Sequence, residues 1–517
     1  MPKRREIRSS ITSRQMRALE LNAEYFGVSR LQLMENAGRS VALEAASRFR
    51  SGKRVAMFCG LGGNGGDGFV AARHLLSLNF EDITIILAGK AREISDESAK
   101  QNFDAIRSVN DKISIAEAYD STMVPEINAD VIVDALLGTG TKGTLKPPIL
   151  QLVREINGKR SFKIAVDVPT GVDADTGAIL GEAVKADLTI TFHRTKVGLQ
   201  KAKKYLGELV VCDIGIPKQF EELSGPGDVS LATVKRPAES HKGDFGRLLV
   251  IGGSETYSGA PALVASAAYR TGVDIVYISA PEMTASDISS MSPDLITIKL
   301  SGRNLNRSNV DMLRNFIEKV DAVAIGPGLG MLPETREAVK AIVSEVEKAQ
   351  KPLLLDADGL KAFAEFKRRL RIPVVFTPHA GEYATLTGHR LPEDLHARIE
   401  DVRKEAEKLD AVVLLKGAPD IISDGKRVKL NFTGNPGMTV GGTGDVLSGI
   451  VGAFMAQKVD VLEAAVAGAF VNGAAGDFVV DEKGYHIVAS DLLDWIPLVL
   501  NDPMIHAGMR NKLVRKG

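Results

Sequence analysis

The stretch of this chain richest in chemistry is Asn435-Pro-Gly-Met-Thr-Val-Gly-Gly-Thr-Gly-Asp-Val-Leu-Ser-Gly449. Gly441, Gly442 and Gly444 let successive backbone N–H groups face an oxyanion, and a helix beginning near Asp445 adds its positive end. Asp445 then stands where phosphoryl transfer needs a base to take a hydroxyl proton. A plain helix entry with Asp445 as N-terminal charge partner would explain the acid. It would not explain the run of small residues packed ahead of it.

Other turns in the same half also follow apolar runs: Gly252-Gly-Ser254, Gly326-Pro-Gly-Leu-Gly330, Asp356-Ala-Asp-Gly359, Thr377-Pro-His-Ala-Gly-Glu382 and Lys416-Gly-Ala-Pro-Asp420. Each is placed to deliver groups to one face of a sheet. His379 alone would read as a satisfied loop histidine; within Pro-His-Ala-Gly-Glu at a strand end it reads as part of a site. Lys416, directly after an apolar strand, suits a phosphate.

A second glycine-rich run, Gly60-Leu-Gly-Gly-Asn-Gly-Gly-Asp-Gly68, lies between a strand and a helix, expected over Gly68 to Leu78. Glycines there permit a tight turn and an anion site of N–H groups. Gly60, Gly62 and Gly65 satisfy G-x-G-x-x-G, a weak signal alone. The next strand ends Leu87-Ala-Gly89, without the acid that would hold a dinucleotide ribose, which disfavours hydride transfer but not a phosphate-bearing ligand. Asp134-Ala-Leu-Leu-Gly-Thr-Gly-Thr-Lys-Gly143 and Asp167-Val-Pro-Thr-Gly-Val-Asp173 close two further strands. Ligands of open parallel sheets sit beyond the carboxyl ends of the strands, so Asn64, Asp67, Asp134 and Asp167 are expected at one crevice. Either strand-end acid alone reads equally well as a helix cap.

These loops need rigid elements behind them. Thr12-Ser-Arg-Gln15 fits a capping box opening a helix. Apolar runs at 55–59, 82–87, 130–134, 163–167, 188–192 and 208–212 alternate with helical patterns. Gly215-Ile-Pro217 and Glu221 to Asp228 look like a linker. The alternation restarts with runs at 247–251, 275–278, 322–325, 352–356, 374–377 and 412–415. This predicts two α/β domains in tandem, each a largely parallel sheet flanked by helices.

Bulk properties agree. The 517 residues exceed one ordinary core. The 65 basic and 65 acidic side chains cancel, which argues against a nucleic-acid or anionic-membrane partner. Cys59 and Cys212 each follow an apolar run and are expected as buried thiols, with no disulfide or zinc spacing. The basic start has no apolar segment behind it, and the most apolar stretch, Ala464 to Val480, is broken by Asn472 and Asp477. A soluble, cytoplasmic protein is expected.

The run Gln15-Met-Arg17, Leu33-Met-Glu-Asn-Ala-Gly38, the first glycine loop, Asp134–Gly140 and Asp167–Asp173 resembles the NAD(P)H-hydrate epimerases over residues 10–215. The resemblance implies a Rossmann-like three-layer fold that interconverts the two epimers of hydrated NADH and NADPH. It places Asn64, Asp134 and Thr170 round a potassium ion, and Gly63, Asn64, Gly65, Gly66, Asp67, Gly138, Thr139, Gly140, Thr141, Lys142, Gly143, Thr144 and Asp167 on the hydrated nucleotide, with Asp167 as acid/base. The family usually carries Asn where this chain has Gly63.

The second half resembles the ribokinase-like superfamily and, more closely, the NAD(P)H-hydrate dehydratases. The matching text is His241–Gly246, Gly252–Ser254, Ser258–Pro261 and the strand-end turns above through Asp445. By this resemblance Ala260, Gly328 or Gly330, His379 and Asp445 hold the hydrated nucleotide, while Lys416, Gly417, Ala418, Pro419, Asp420 and Gly444 hold ADP, with Mg2+. The implied arrangement is an epimerase domain over 1–222 and an ADP-dependent dehydratase over 223–517, in a homo-oligomer. Two rivals stand beside it. A small-molecule kinase would leave residues 10–215 idle, and a non-catalytic nucleotide sensor would not need Gly-Thr-Gly-Asp445.

Overall fold

The computed structural model describes residues 10–50, 52–80, 82–109 and 112–516. The chain divides into two compact units, one ending at Pro217 and the other beginning at Lys218.

The first unit is built on seven strands: β1 (Val55–Cys59), β2 (Ile83–Leu87), β3 (Ile113–Glu117), β4 (Val131–Ala135), β5 (Phe162–Val166), β6 (Leu188–Phe192) and β7 (Glu208–Cys212). They pair in parallel in the order β3-β2-β1-β4-β5-β6-β7. β1, β4 and β6 are buried along their whole length, as strands covered on both faces must be, and this is why β1 reads as an unbroken apolar run and β4 as one up to Asp134. The strand order reverses between β1 and β4, so the loops after them open the crevice where ligands bind in such sheets. Cys59 is buried, but Cys212 is only partly so, because β7 is an edge strand with one open flank.

The helix after β1 starts earlier than the glycine pattern predicts. It runs Gly63–Ser77, so most of the glycine run is its first turns. The glycines serve close packing. A Cβ on Gly65 would lie 1.9 Å from the Gly60 carbonyl oxygen, and one on Gly68 would lie 2.7 Å from Cys59 Sγ. The helix is thereby pressed against the end of β1.

The second unit has nine strands: β8 (Arg247–Ile251), β9 (Ile275–Pro281), β10 (Ile296–Leu300), β11 (Ala322–Ile325), β12 (Leu353–Leu355), β13 (Val374–Phe376), β14 (Val412–Leu415), β15 (Asp420–Ser423) and β16 (Val428–Asn431). Their order is β10-β9-β8-β11-β12-β13-β14-β15-β16, parallel through β14 and antiparallel in the last two pairings. The order reverses between β8 and β11. Of the segment expected as a linker, Gly215-Ile-Pro217 closes the first unit and Glu221 to Asp228 belongs to this one. Ser224 N–H donates to Leu430 O (2.9 Å), Lys429 pairs with Asp228 (2.7 Å), and the helix Pro226–Ala232 packs on the helix Val461–Lys483.

Helix Val461–Lys483 is buried on nearly every side, which accounts for its continuous apolar sequence; Asp460 caps it. Among the described residues no helix is long and apolar enough to cross a membrane.

Candidate functional sites

In the first unit the crevice forms as the topology requires. The N–H groups of Gly63, Asn64 and Gly65 precede the first intrahelical bond, from Gly66 N–H to Gly62 O (3.1 Å). They face outward at the positive end of the helix. The loop after β4 lies alongside, with the Gly138 Cα so close to Asn64 that an added Cβ would meet its amide at 3.3 Å. Asp134 is fully buried. It accepts from Thr170 Oγ1 (2.6 Å), Thr170 N–H (2.8 Å) and Leu136 N–H (3.3 Å). Burial pushes its carboxyl up to about 6 in spite of these donors. Asn64 Nδ2 is buried without a partner. Asp134 and Thr170 are thus bonded to each other, and Asn64 lies against Gly138 in the loop that follows Asp134.

Asp167 sits in the left-handed region (φ 63°), which turns its side chain back toward β6. Its Oδ1 accepts from Thr191 Oγ1 (2.9 Å), Phe192 N–H (3.3 Å) and Lys196 Nζ. Lys196 is wholly buried and also donates to Thr191 Oγ1 and Phe192 O (3.1 Å each). Sequence reasoning missed this lysine. Its one signal was a charged residue a few positions after a strand that proves fully buried.

The remaining residues of the loop after β4 divide. Thr141 closes a turn on Gly138 O, and Gly143 takes φ 76°. Lys142 is drawn to Asp173 (3.1 Å) and Asp175 (3.2 Å), and Thr144 is exposed beside Gly181. Gly63 faces open space, with nothing within 4 Å of a Cβ. A side chain is therefore free to enter, and Gly63→Asn is expected to lower the epimerase KM by about fivefold, the worth of one hydrogen bond of ~1 kcal/mol. Steady-state kinetics on the epimerase reaction would check this, and an unchanged KM would show that position 63 does not reach the ligand.

The second site lies where β8, β11, β12, β13 and β14 end. Gly252 and Gly253 pack against Pro327 O, and Gly328 (φ 69°) approaches Tyr257 and Ala260. Gly330 N–H donates to Asp358 (2.9 Å). Ala260 and Gly328 are thus brought together, with Gly330 at the rim. A cavity of about 790 Å³ is lined by His379, Lys416 to Asp420, Asn431 to Pro436, Thr443, Gly444 and Gly473, among others. His379 caps the helix Ala380–Thr387, its Nδ1 accepting from Gly381 N–H (3.0 Å), while its exposed ring edge faces the cavity.

Lys416 Nζ donates to Asp356 Oδ1 (3.0 Å) and lies 3.9 Å from Glu382. Ser448 holds the other Asp356 oxygen (2.7 Å). Burial alone would lower the Lys416 pKa, but Asp356 and Glu382 outweigh it and raise it. Asp445 is in the first turn of the helix Thr443–Ala456. The N–H groups of Thr443, Gly444 and Asp445 precede the first intrahelical bond, Val446 N–H to Gly442 O (3.1 Å). Burial, then Asp356 and Glu382, push the Asp445 carboxyl up to about 7 against the pull of Lys416. A carboxylate so placed is a base matched to neutral pH.

One wall of the cavity is clamped from behind. Asp477, 2% exposed, accepts from Gly434 N–H (3.0 Å), Asn435 Nδ2 (2.8 Å) and His506 Nε2 (2.9 Å). Gly473 and Gly476 let the same helix approach Thr433 and Met438.

Residues 30–198 match the family of YjeF-related protein N-termini, and residues 248–498 match NAD(P)H-hydrate dehydratase. A bifunctional NAD(P)H-hydrate repair enzyme from Pyrobaculum aerophilum is 47% identical over 497 residues, covering 95% of this chain and 98% of that one. One from Hyperthermus butylicus is 43% identical, covering 96% and 93%. Among solved structures, an ADP/ATP-dependent NAD(P)H-hydrate dehydratase from Bacillus subtilis, co-crystallised with ATP/Mg2+, is 28% identical over 54% of this chain and 98% of its own (TM-score 0.46). The chain belongs to the family of bifunctional NAD(P)H-hydrate repair enzymes.

Proposed function

We propose that the first unit interconverts the R and S epimers of hydrated NADH and NADPH, and that the second dehydrates the S epimer at the expense of ADP, giving NAD(P)H, AMP and phosphate. The observation that carries the second half is Asp445, poised near neutrality at the mouth of a helix whose first amides are free. The ring hydroxyl is a poor leaving group. Asp445 takes its proton as the oxygen attacks the terminal phosphate of ADP. The amides ahead of Asp445 and Lys416 stabilise the developing charge. The phosphate then leaves, expelled by the ring nitrogen to form C=N+, and loss of a proton from the adjacent ring carbon restores the ring double bond of NAD(P)H. Asp356 and Glu382, beside Lys416, would offer oxygens to a Mg2+ carried by the nucleotide, which would neutralise phosphate charge.

In the first unit the oxygens of Asn64, Asp134 and Thr170 suit K+, a hard cation, and one buried carboxylate balances its charge. Replacing K+ by choline is expected to slow epimerisation and lower the melting temperature of this unit. Identical rates and melting in both salts would remove the ion from the site.

The deciding experiment supplies both purified epimers with ADP or ATP and follows NADH by absorbance. Full conversion of both epimers, with AMP as co-product, is expected. A phosphorylated product that never yields NADH would make the second unit a kinase.

A further inference from the structure

We infer that Asn472 reads the base of the adenine nucleotide in the second unit, and that Phe432 is the platform on which this base stacks. This rests on the reading of that unit as an ADP-dependent dehydratase. Asn472 lies midway along the helix Val461–Lys483, between Phe470-Val471 and Gly473-Ala474-Ala475, all of them buried. It is itself 7% exposed. Its Oδ1 is buried without a partner, and no hydrogen bond among the described residues engages its Nδ2. Folded proteins pair the large majority of their buried polar side-chain atoms, because an unpaired one forfeits its bonds to water. A ligand accounts for this one.

Asn472 is on the wall of the cavity that also holds Lys416 and Gly444. Those two mark the phosphate end. A Cβ on Gly444 would lie 3.3 Å from Lys416 Nζ, and Gly444 belongs to the opening turn of the helix Thr443–Ala456. Neither Ala260 nor Gly328, expected on the hydrated nucleotide, lines this cavity. Phe432 does, and it is 64% exposed, although Phe is among the residues most often buried. Its backbone is held on both sides. Asn431 Nδ2 donates to Ala469 O (3.1 Å), and Thr433 Oγ1 donates to Phe470 O (3.1 Å). A Cβ on Gly473 would lie 2.3 Å from Thr433 Oγ1. Residues 431–433 thus lie directly on the helical turn that carries Asn472.

The pair matches one kind of ligand. Adenine carries an amino donor beside a ring-nitrogen acceptor, and the amide of Asn meets such an edge with one acceptor and one donor. Turning about Cβ–Cγ exchanges the two ends of the Asn472 amide, and no hydrogen bond among the described residues resists it. A base stacked on Phe432 covers the open aromatic face at the same time. The cavity volume of about 790 Å³ is of the size that takes such a ligand.

The test measures binding to the full chain by calorimetry, with ADP and with purine riboside diphosphate, which differs from ADP only in lacking the exocyclic amino group. The wild type is expected to bind ADP about tenfold or more tightly than the analogue. Asn472→Leu keeps the size of the side chain and removes both polar ends. It should bind ADP about tenfold more weakly than wild type, bind the two ligands within about twofold of each other, and melt no lower than wild type. Asn472→Ala, which cannot overpack, should lose the preference equally. Phe432→Ser should weaken both ligands alike, by about fivefold or more, and keep the preference for the amino group. Asn472 variants that retain the wild-type preference, or a wild type without one, overturn the assignment of Asn472. So does a loss that appears only in the KM of the hydrated nucleotide, which would put the amide on that ligand. Unchanged affinities in Phe432→Ser overturn the stacking platform. A wild type that binds no ADP removes the dehydratase reading, and Asn472 with it; a wild type that dehydrates with ADP while Asn472→Leu keeps the preference sinks Asn472 alone.

Discussion

Asp445→Asn should lower dehydration of the hydrated nucleotide by about 10²–10⁴-fold while epimerisation proceeds at its wild-type rate. The amide keeps the shape but cannot take a proton, so the loss should appear in kcat with ADP binding largely retained. In the wild type, the carboxyl near 7 sets the pH profile. The rate should rise about tenfold per pH unit below that value and level above it, since only the carboxylate accepts the hydroxyl proton. Lys416→Met removes the charge that pulls this carboxyl down, so the limb should move to higher pH. The same raised carboxyl has a stability cost whose sign is fixed. A group that holds its proton more tightly folded than unfolded destabilises the fold as pH rises from about 4, its ordinary value, to 7. Asp445→Asn should therefore melt higher than wild type, and by more at pH 8 than at pH 5. Dehydration surviving in Asp445→Asn would remove the base role outright.

Asp477→Ala should destabilise the second unit by about 3–5 kcal/mol, the range for breaking a buried, multiply hydrogen-bonded charge. Three donors, on Gly434, Asn435 and His506, lose their acceptor at once. Because Gly434 and Asn435 line the cavity we propose for ADP, the affinity for ADP should fall with the stability. Denaturant melts of the full chain and an ADP titration measure the two effects. His506→Ala leaves Asp477 its two loop donors and should cost less. A change below about 1 kcal/mol in Asp477→Ala would mean that the loop is held by its other contacts.

The sequence carried the parallel cores well, because strands buried on both faces are written as unbroken apolar runs. Apart from β7, expected as the run 208–212, it carried the edges badly. β3 and β10 alternate, as Ile113-Ser-Ile-Ala-Glu117 and Ile296-Thr-Ile-Lys-Leu300, since one flank meets solvent, and neither is expected from its residues alone. The antiparallel pair β15–β16 is as short and mixed. Strand-end acids were legible, as Asp134, Asp167 and Asp356 follow apolar runs. Lys196 was not, because what marks it is burial, and burial is set by partners distant in sequence. Asp477 was visible only as an interruption of an apolar segment, and its function as a clamp needed the loop that it holds.

That clamp also orders events during biosynthesis. Its third donor, His506, opens the helix His506–Lys516, more than 280 residues after Pro217 ends the first unit. A nascent chain can complete the epimerase crevice long before that histidine is translated. The loop beside the ADP cavity gains its full set of bonds only afterwards. Chains stalled or clipped short of residue 506 would thus retain epimerisation while their dehydratase cavity is loosened, so a pool of damaged molecules would still shuffle the two epimers without clearing them.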